Sequence, residues 1–482
     1  MPPQIALLVF ATGILGLFWL DRDSKVKTSK ALWIPVMWLW IAGSRPVSAW
    51  LAETGLWNGA LVSNTANAYL DGSPLDRNVF MVLLAVGVIV LIGRREQVAK
   101  LLRGNGPILL FFTYCLLSIA WSDYSDVAFK RWTKAVGDLV MVLIVLTDPQ
   151  PKAALKRLLA RTGFVLLPVS VLLIKYYPDL GRAYDAGTGV WAAWTPMYTG
   201  VTTTKNLLGL ITLVFGLGAV WRFAGELQEK GDPHRRRRLI AQCTLLAMVF
   251  WLFWMASSMT SLSCFLMGGG LIAVTSLSRL GRKQAVVHAL VLVMLSVSLF
   301  TLFLDPSSGV LGSMGKDPTL TGRTEIWNLV LSMPVNRLVG TGFESFWIGP
   351  RLQHIWSLYW WHPNEAHNGY IEVLLNLGWI GVCLLVCLLV TGYRNALAEF
   401  RRDRQTGSLK LAYCVIAVLY NFTESAIRTL NPVWVFFLLA TVAVPGVAVA
   451  EVPASVNHSD DFFEWEPQSE AVAGGGGYEG EV

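Results

Sequence analysis

The chain has 482 residues, of which 54% are hydrophobic and only 15% charged, with a net charge of +7 and a mean hydropathy of +0.51. So apolar a chain is neither an ordinary soluble domain nor a disordered one. The basic residues sit in short loops between apolar runs, which is how a membrane protein distributes them, so a nucleic-acid partner is also excluded.

In chain order, the apolar runs predict thirteen spans: 4–20, 31–43, 79–93, 107–121, 135–147, 162–175, 206–222, 239–257, 261–277, 285–304, 370–392, 409–424 and 432–450. A bilayer core needs about 20 apolar residues per helix, so several of these are short. The expected fold is all-α: a polytopic transmembrane helical bundle of about 12–13 spans with a large outer loop. The first run lacks a basic start and a small-residue cleavage site and is expected to remain as a span. Six loops, 21–30, 94–106, 148–161, 222–238, 278–284 and 393–410, hold 26 of the 39 Lys and Arg. They alternate with poorer loops, which predicts that the N-terminus is outside and the basic loops and C-terminus inside. His234-Arg235-Arg236-Arg237-Arg238 then reads as a cytoplasmic anchor.

The expected organisation is N-terminal spans over 1–106, a central bundle over 107–304 with an outer loop at 176–205, a catalytic loop at 305–369, C-terminal spans over 370–450, and a tail over 451–482. The tail has eight Asp and Glu and no Lys or Arg, and it is expected to be disordered. The six cysteines (Cys115, Cys243, Cys264, Cys383, Cys387 and Cys414) all fall in apolar segments and are expected to be small buried hydrophobes. No internal repeat is evident, which weakens a transporter reading.

Polar chemistry concentrates in the third outer segment, 305–369. It holds three of the six histidines (His354, His362 and His367) and the tryptophans Trp327, Trp347, Trp356, Trp360 and Trp361. Arg323 follows a Thr-Gly pair and could grip a phosphate with two parallel hydrogen bonds. Lys205 ends a Thr-Thr-Thr-Lys run beside Asn206. Arg182, Lys130, Arg131 and Arg428 also lie near the outer surface, where contact with lipid headgroups is the plainer expectation. His367 begins His-Asn-Gly-Tyr-Ile-Glu, and a near-neutral imidazole can take a proton from a sugar hydroxyl. A zinc set of His354, His362, His367 and Glu365 is the alternative, although the spacing matches no strong zinc pattern. The tryptophans fit either an interfacial belt or sugar stacking, and Tyr176, Tyr177, Tyr184, Trp191, Trp194 and Tyr198 repeat the pattern in the second segment.

Weaker motifs have plainer expectations. Gly340-Thr341-Gly342 lacks the strand–helix context of a dinucleotide site. Gly268-Gly269-Gly270 is expected to permit close helix packing. Asp21-Arg22-Asp23 falls on the basic side, and Asp123 and Asp126 are expected to cap the segment after them.

Four elements together resemble the O-antigen ligase and polysaccharide polymerase superfamily, including its exopolysaccharide-polymerase branch. They are Ala-Trp-Ser-Asp-Tyr-Ser-Asp from 120, Thr-Thr-Thr-Lys-Asn-Leu-Leu-Gly-Leu over 202–210, Thr-Gly-Arg-Thr-Glu-Ile-Trp over 321–327, and His-Asn-Gly-Tyr-Ile-Glu through Gly-Trp-Ile-Gly over 367–381. The resemblance covers roughly residues 110–425. It implies a GT-C-like bundle in the bacterial inner membrane and a metal-independent glycosyl transfer, without a cofactor, at the periplasmic face. The donor would be a saccharide on a polyprenyl diphosphate, and the acceptor a glycan or lipid A–core. Membrane lipids, and polysaccharide chain-length and export proteins, would be the other partners.

By the same resemblance, Arg323, Lys205 and Arg182 would hold the diphosphate. His367 would orient or deprotonate the acceptor, with Asn206, Asn368 and Glu372 in support. Trp327, Trp360 and Trp361 would contact the glycan. Ligases often have arginine where this chain has Lys205, which favours the polymerase branch. The rival classes are a flippase for lipid-linked sugars, which should place charges along the spans, and a non-catalytic assembly scaffold.

Overall fold

A computed structural model describes residues 1–23, 27–53, 72–184, 196–229, 231–278, 281, 283–303, 319–359 and 361–444. All of these lie in one compact unit, Met1–Val444. The expected acidic tail, Trp191, Trp194 and Trp360 lie outside the described residues.

The fold is helical: α1 (Pro3–Leu20), α2 (Trp33–Ala42), α3 (Val47–Glu53), α4 (Pro74–Ile92), α5 (Arg95–Arg103), α6 (Gly106–Leu117), α7 (Ser125–Leu146), α8 (Pro151–Tyr176), α9 (Lys205–Gln228), α10 (Arg235–Ala256), α11 (Met259–Leu277), α12 (Gln284–Phe303), α13 (Thr319–Ser332), α14 (Gly349–Leu358), α15 (Gly369–Arg402), α16 (Arg404–Tyr420) and α17 (Pro432–Thr441). Two three-residue strands, β1 (Arg182–Tyr184) and β2 (Pro196–Tyr198), pair antiparallel in the second outer segment. Many helices begin where a short polar side chain can satisfy the free N–H groups of the first turn. Thr204 accepts from the Leu207 N–H, Asn368 from Tyr370 and Ile371, and Asp403 from Gln405 and Thr406.

Seven described helices are long and apolar enough to cross a membrane, and eight if the bent pair α5 and α6 with the turn after it is one span. The chain is therefore a polytopic helical bundle. The expected spans 31–43, 285–304 and 432–450 fall on shorter apolar helices, and 107–121 belongs to the pair bent by 92°. Central and peripheral helices separate by burial. The apolar window of α9 is 83% buried and that of α1 only 11%, so α9 is core and α1 presents its apolar side chains outward. The same distinction corrects the cysteine expectation. Cys115, Cys264 and Cys414 are buried, but Cys243, Cys383 and Cys387 are on the outside, where a membrane bundle is also apolar.

Loops expected on one face do meet there. Lys152 pairs with Asp403 at 2.9 Å, Arg222 with Asp21, and Arg401 with Gln284 at 3.1 Å, which joins five of the six basic loops at one end. Asp21-Arg22-Asp23 thus supplies an ion-pair partner there. At the other end, Arg45 N–H donates to the Val201 carbonyl (3.0 Å), Arg351 pairs with Asp123 (2.9 Å), and Tyr177 donates to the Pro3 carbonyl (3.0 Å). Asp123 is an ion-pair partner here instead of the expected helix cap. Of the three consecutive glycines in α11, only Gly268 packs closely, against Leu217 and Ile416.

The long helix α15 is broken at Gly378, whose φ is +63°. Its lost helical hydrogen bonds are replaced by the segment before α14. Thr341 and Gly342 N–H donate to the Leu375 and Asn376 carbonyls, and the N–H groups of Trp379 and Ile380 donate to the Arg337 and Leu338 carbonyls. Buried backbone must be paired, and this exchange pairs it. It also explains Gly340-Thr341-Gly342. Gly340 has φ +70°, and a Cβ on it would lie 2.4 Å from the Asn376 backbone.

Candidate active site

The His-Asn-Gly element is built to dock on the turn that follows α16. His367 is left-handed at φ +49°. Asn368 caps α15 with its side-chain oxygen and donates through Nδ2 to the Phe422 carbonyl at 3.0 Å. A Cβ on Gly369 would lie 2.0 Å from Asn421 Oδ1, so only glycine lets its N–H reach the Asn421 carbonyl (2.9 Å). This docking places His367 beside Glu424.

Glu424 is the hub. Its Oε1 accepts from Arg323 Nη2 at 3.0 Å, and its Oε2 lies 3.3 Å from His367 Nδ1. Arg323 also donates to the Thr423 carbonyl. On the other side, Glu365 lies 3.1 Å from His367 Nδ1 and 2.7 Å from Arg428 Nη1. Two carboxylates are thus interleaved with two guanidinium groups and an imidazole. Burial works against a charged ring, but hydrogen bonds donated by the ring to Glu365 and Glu424 outweigh it, and the His367 pKa is pushed up to about 9. The raised pKa favours the protonated ring. That direction favours orientation over deprotonation as the role of His367. Burial alone would raise Glu365, yet His367 and Arg428 hold it down to about 2.

A cavity of about 1130 Å³ opens beside this cluster. Glu365, Glu424, Ser425 and Arg428 contribute to its wall, with Lys130, Arg131 and Lys134 from α7 and Asn206 from α9. A smaller cavity of about 300 Å³ shares Arg131, Lys134, Glu365 and Arg428 and is otherwise rich in aromatic rings, including Phe111, Phe112, Phe343 and Trp434. The Arg131–Arg428–Glu365 group lies in the walls of both.

The expected site residues divide. Arg323, His367, Asn368 and Glu372 come together. Glu372 accepts from the Ala366 N–H at 2.6 Å and from Trp347 Nε1 at 2.9 Å, bracing the residue before His367. Lys205 is exposed at the start of α9, and the cavity wall there is made by Thr203, Thr204 and Asn206. Arg182 is elsewhere: its Nε and Nη2 donate to the Ile174 carbonyl at the end of α8, and its guanidinium lies 5.5 Å from the Tyr198 ring centre. A helix C-terminus attracts a cation, which draws Arg182 out of the site. Trp327 donates to the Ala366 carbonyl at 2.7 Å, so its indole braces the loop. Trp361 is exposed with Tyr359 edge-on to it.

The alternative zinc set is split. His354 is exposed on α14, and His362 stacks on Trp356 with ring centres 4.6 Å apart. Glu365, His367 and Glu424 do have ligand atoms within 4.8 Å of one another. Three cationic groups already surround those two carboxylates, a poor donor set for a divalent ion.

Sequence reasoning missed Glu424 because it set a span at 409–424, whereas α16 ends at Tyr420. It also assigned Arg131 and Arg428 to the lipid surface. The signal was present in the run Thr423-Glu424-Ser425-Ala426-Ile427-Arg428-Thr429, too polar to belong to a span.

Residues 243–386 match the family model described as O-antigen ligase. The chain is thus similar to the O-antigen ligase and polymerase superfamily. It is also similar to the exopolysaccharide production protein ExoQ of Rhizobium meliloti (strain 1021), with 24% identity over 345 residues, covering 69% of this chain and 75% of that relative. The matched family segment contains Arg323, His367 and Glu372. Glu424, Arg428 and Arg131 lie outside it and reach the site only through the fold.

Proposed function

We propose that this protein is a membrane glycosyltransferase that moves saccharide from a polyprenyl-diphosphate-linked donor to a glycan acceptor at the periplasmic face of the bacterial inner membrane. The product would be exopolysaccharide, by polymerisation. The observation that carries this is the sharing of Glu424 by Arg323 and His367 at the edge of a cation-lined cavity. The similarity to an exopolysaccharide production protein supports the polymer, and the O-antigen ligase match supports the class of transfer.

The chemistry follows from the leaving group. The acceptor oxygen attacks the anomeric carbon and forms the new C–O bond. The bond from that carbon to the diphosphate breaks, and polyprenyl diphosphate leaves with the electron pair. Fixed cations stabilise the growing negative charge without reorganising at the moment of reaction. Arg323, Arg428, Arg131 and the His367 imidazolium are those cations, with Lys205 as a further one beside the wall. The acceptor proton passes to the Glu424 carboxylate. The aromatic cavity takes the first prenyl carbons next to the diphosphate, and Trp361 offers an exposed ring to the glycan.

The test is transfer in vesicles supplied with purified lipid-linked repeat units and EDTA, with products separated by size. Wild type is expected to give a ladder, and His367→Ala to give none while remaining inserted and folded. An undiminished ladder from the variant, or no transfer by wild type to any acceptor offered, would overturn the proposal in favour of a flippase or scaffold.

A further inference from the structure

At the end of the bundle opposite the candidate site, a cavity of about 600 Å³ lies between α1, α8, α9 and α10. Among its lining residues are Arg22, Lys152, Lys156, Arg157, Arg161 and Arg222. Three independent features of this cavity suit one ligand chemistry.

The first is the N-terminus of α8. This 26-residue helix begins in the cavity wall at Pro151, Lys152 and Ala153, and Gln150 before it provides no side-chain cap. The leading N–H groups of a long helix carry partial positive charge and suit an anion. The second is Arg222, which is only 7% exposed. Its Nη2 pairs with Asp21, but its Nε and Nη1 are buried with no hydrogen-bond partner among the described residues. The Arg161 Nη1 is in the same condition while that guanidinium stacks 4.2 Å from the Trp33 ring centre. Buried donors are normally satisfied, and unsatisfied ones call for a missing acceptor. The third is Lys156, in the second turn of α8, which makes no ion pair among the described residues.

Acidic groups are present as well. Glu226, Glu229 and Asp232 pair with Arg238, and Asp21 pairs with Arg222, so these are consumed within the wall. Arg157 is bonded to Thr28 Oγ1 at 2.8 Å, which fixes its guanidinium at the rim. The balance of charge at the α8 end is positive.

We propose that this cavity is a phosphate-binding site, occupied by the phosphate of an anionic lipid headgroup or by free phosphate. A tetrahedral phosphate has several acceptor oxygens for the α8 N-terminus and the unsatisfied Arg222 guanidinium, with Lys156 in the same wall, and guanidinium groups match its geometry. A phospholipid could place its headgroup there because the cavity lies at the end of helices that cross the membrane.

The test uses the full-length protein. In detergent, the thermal midpoint would be followed against inorganic phosphate, with chloride at matched ionic strength as control. In parallel, the protein would be reconstituted in vesicles of phosphatidylcholine alone or of phosphatidylcholine with phosphatidylglycerol, and retained phosphatidylglycerol would be counted by native mass spectrometry. Lys156→Gln and Arg222→Gln would be compared with wild type. A saturable rise with inorganic phosphate, about tenfold weaker in the variants as expected for one lost charge-assisted hydrogen bond, supports the free anion as source. No response to phosphate, but retention of phosphatidylglycerol that is lost in the variants, supports the lipid. No response in either arm, or a response that survives Lys156→Gln unchanged, overturns the proposal. Arg222 is buried and its variant could fail to fold; Lys156 is not, and that variant then carries the test.

Discussion

Arg323 and His367 hold the two oxygens of one carboxylate, Glu424, at 3.0 and 3.3 Å. Neither residue is near the other in sequence, and Glu424 lies beyond the segment that matches the O-antigen ligase family. The pair therefore exists only because α13, the start of α15 and the turn after α16 converge.

Replacing Arg323 with alanine removes a fixed cation from the proposed leaving-group site. The expected cost in transfer rate is about 10²–10³-fold, the range for losing one preorganised electrostatic donor. Arg323→Lys keeps the charge but not the fork that spans Thr423 and Glu424, so only partial rescue is expected. Single-turnover transfer, with membrane insertion checked separately, measures both.

The pKa of His367 is raised, from 6.5 to about 9, so it binds its proton more tightly in the folded protein. The resulting stabilisation is complete below pH 6.5 and is lost as pH rises through 9. Glu365 runs the other way. Its pKa falls from 4.5 to about 2, and its contribution is present above pH 4.5 and lost as pH falls through 2. Thermal midpoints across pH should show the alkaline loss. Glu365→Gln should move the imidazole titration, followed by NMR, towards its ordinary value; an unmoved titration would contradict the ion cluster.

Gly378 cannot accept a side chain. Its φ is +63°, and a Cβ would lie 2.2 Å from the Leu338 carbonyl oxygen. Gly378→Ala should cost at least the 1–2 kcal/mol or so of left-handed strain, and more if the segment carrying Arg337 and Leu338 is displaced. A lowered thermal midpoint and protease cleavage near residues 337–342 would report it.

Trp347→Phe removes the indole N–H from Glu372 and leaves that half-buried carboxylate short of a donor. The expected loss is about 1–3 kcal/mol of stability. Because Glu372 also holds the Ala366 N–H, transfer should fall as well, since His367 follows directly. Thermal unfolding and the vesicle assay together separate the two effects.

Much of the site was legible in the sequence because its motifs are local. His-Asn-Gly encodes a left-handed residue, a cap and a close approach in three consecutive positions, and Arg323 stood out as a cation in a polar turn. What was hidden depends on partners far along the chain. Arg182 is a diphosphate candidate by resemblance, yet a nearby helix C-terminus captures it. Glu424 looked like the end of a span, yet α16 stops four residues earlier.

The sequence by itself determined that the chain is a helical membrane bundle and which loops share a face. Hydropathy and loop charge are properties of short segments, and the bilayer responds to them one segment at a time. Only the tertiary structure decided which cations surround Glu365 and Glu424 and where α15 breaks. It also gave Arg131 and Arg428 to the cavity instead of the lipid surface. Those outcomes depend on ion pairs and backbone hydrogen bonds between distant segments, and such pairings have energies only once packing has brought the partners within a few ångströms.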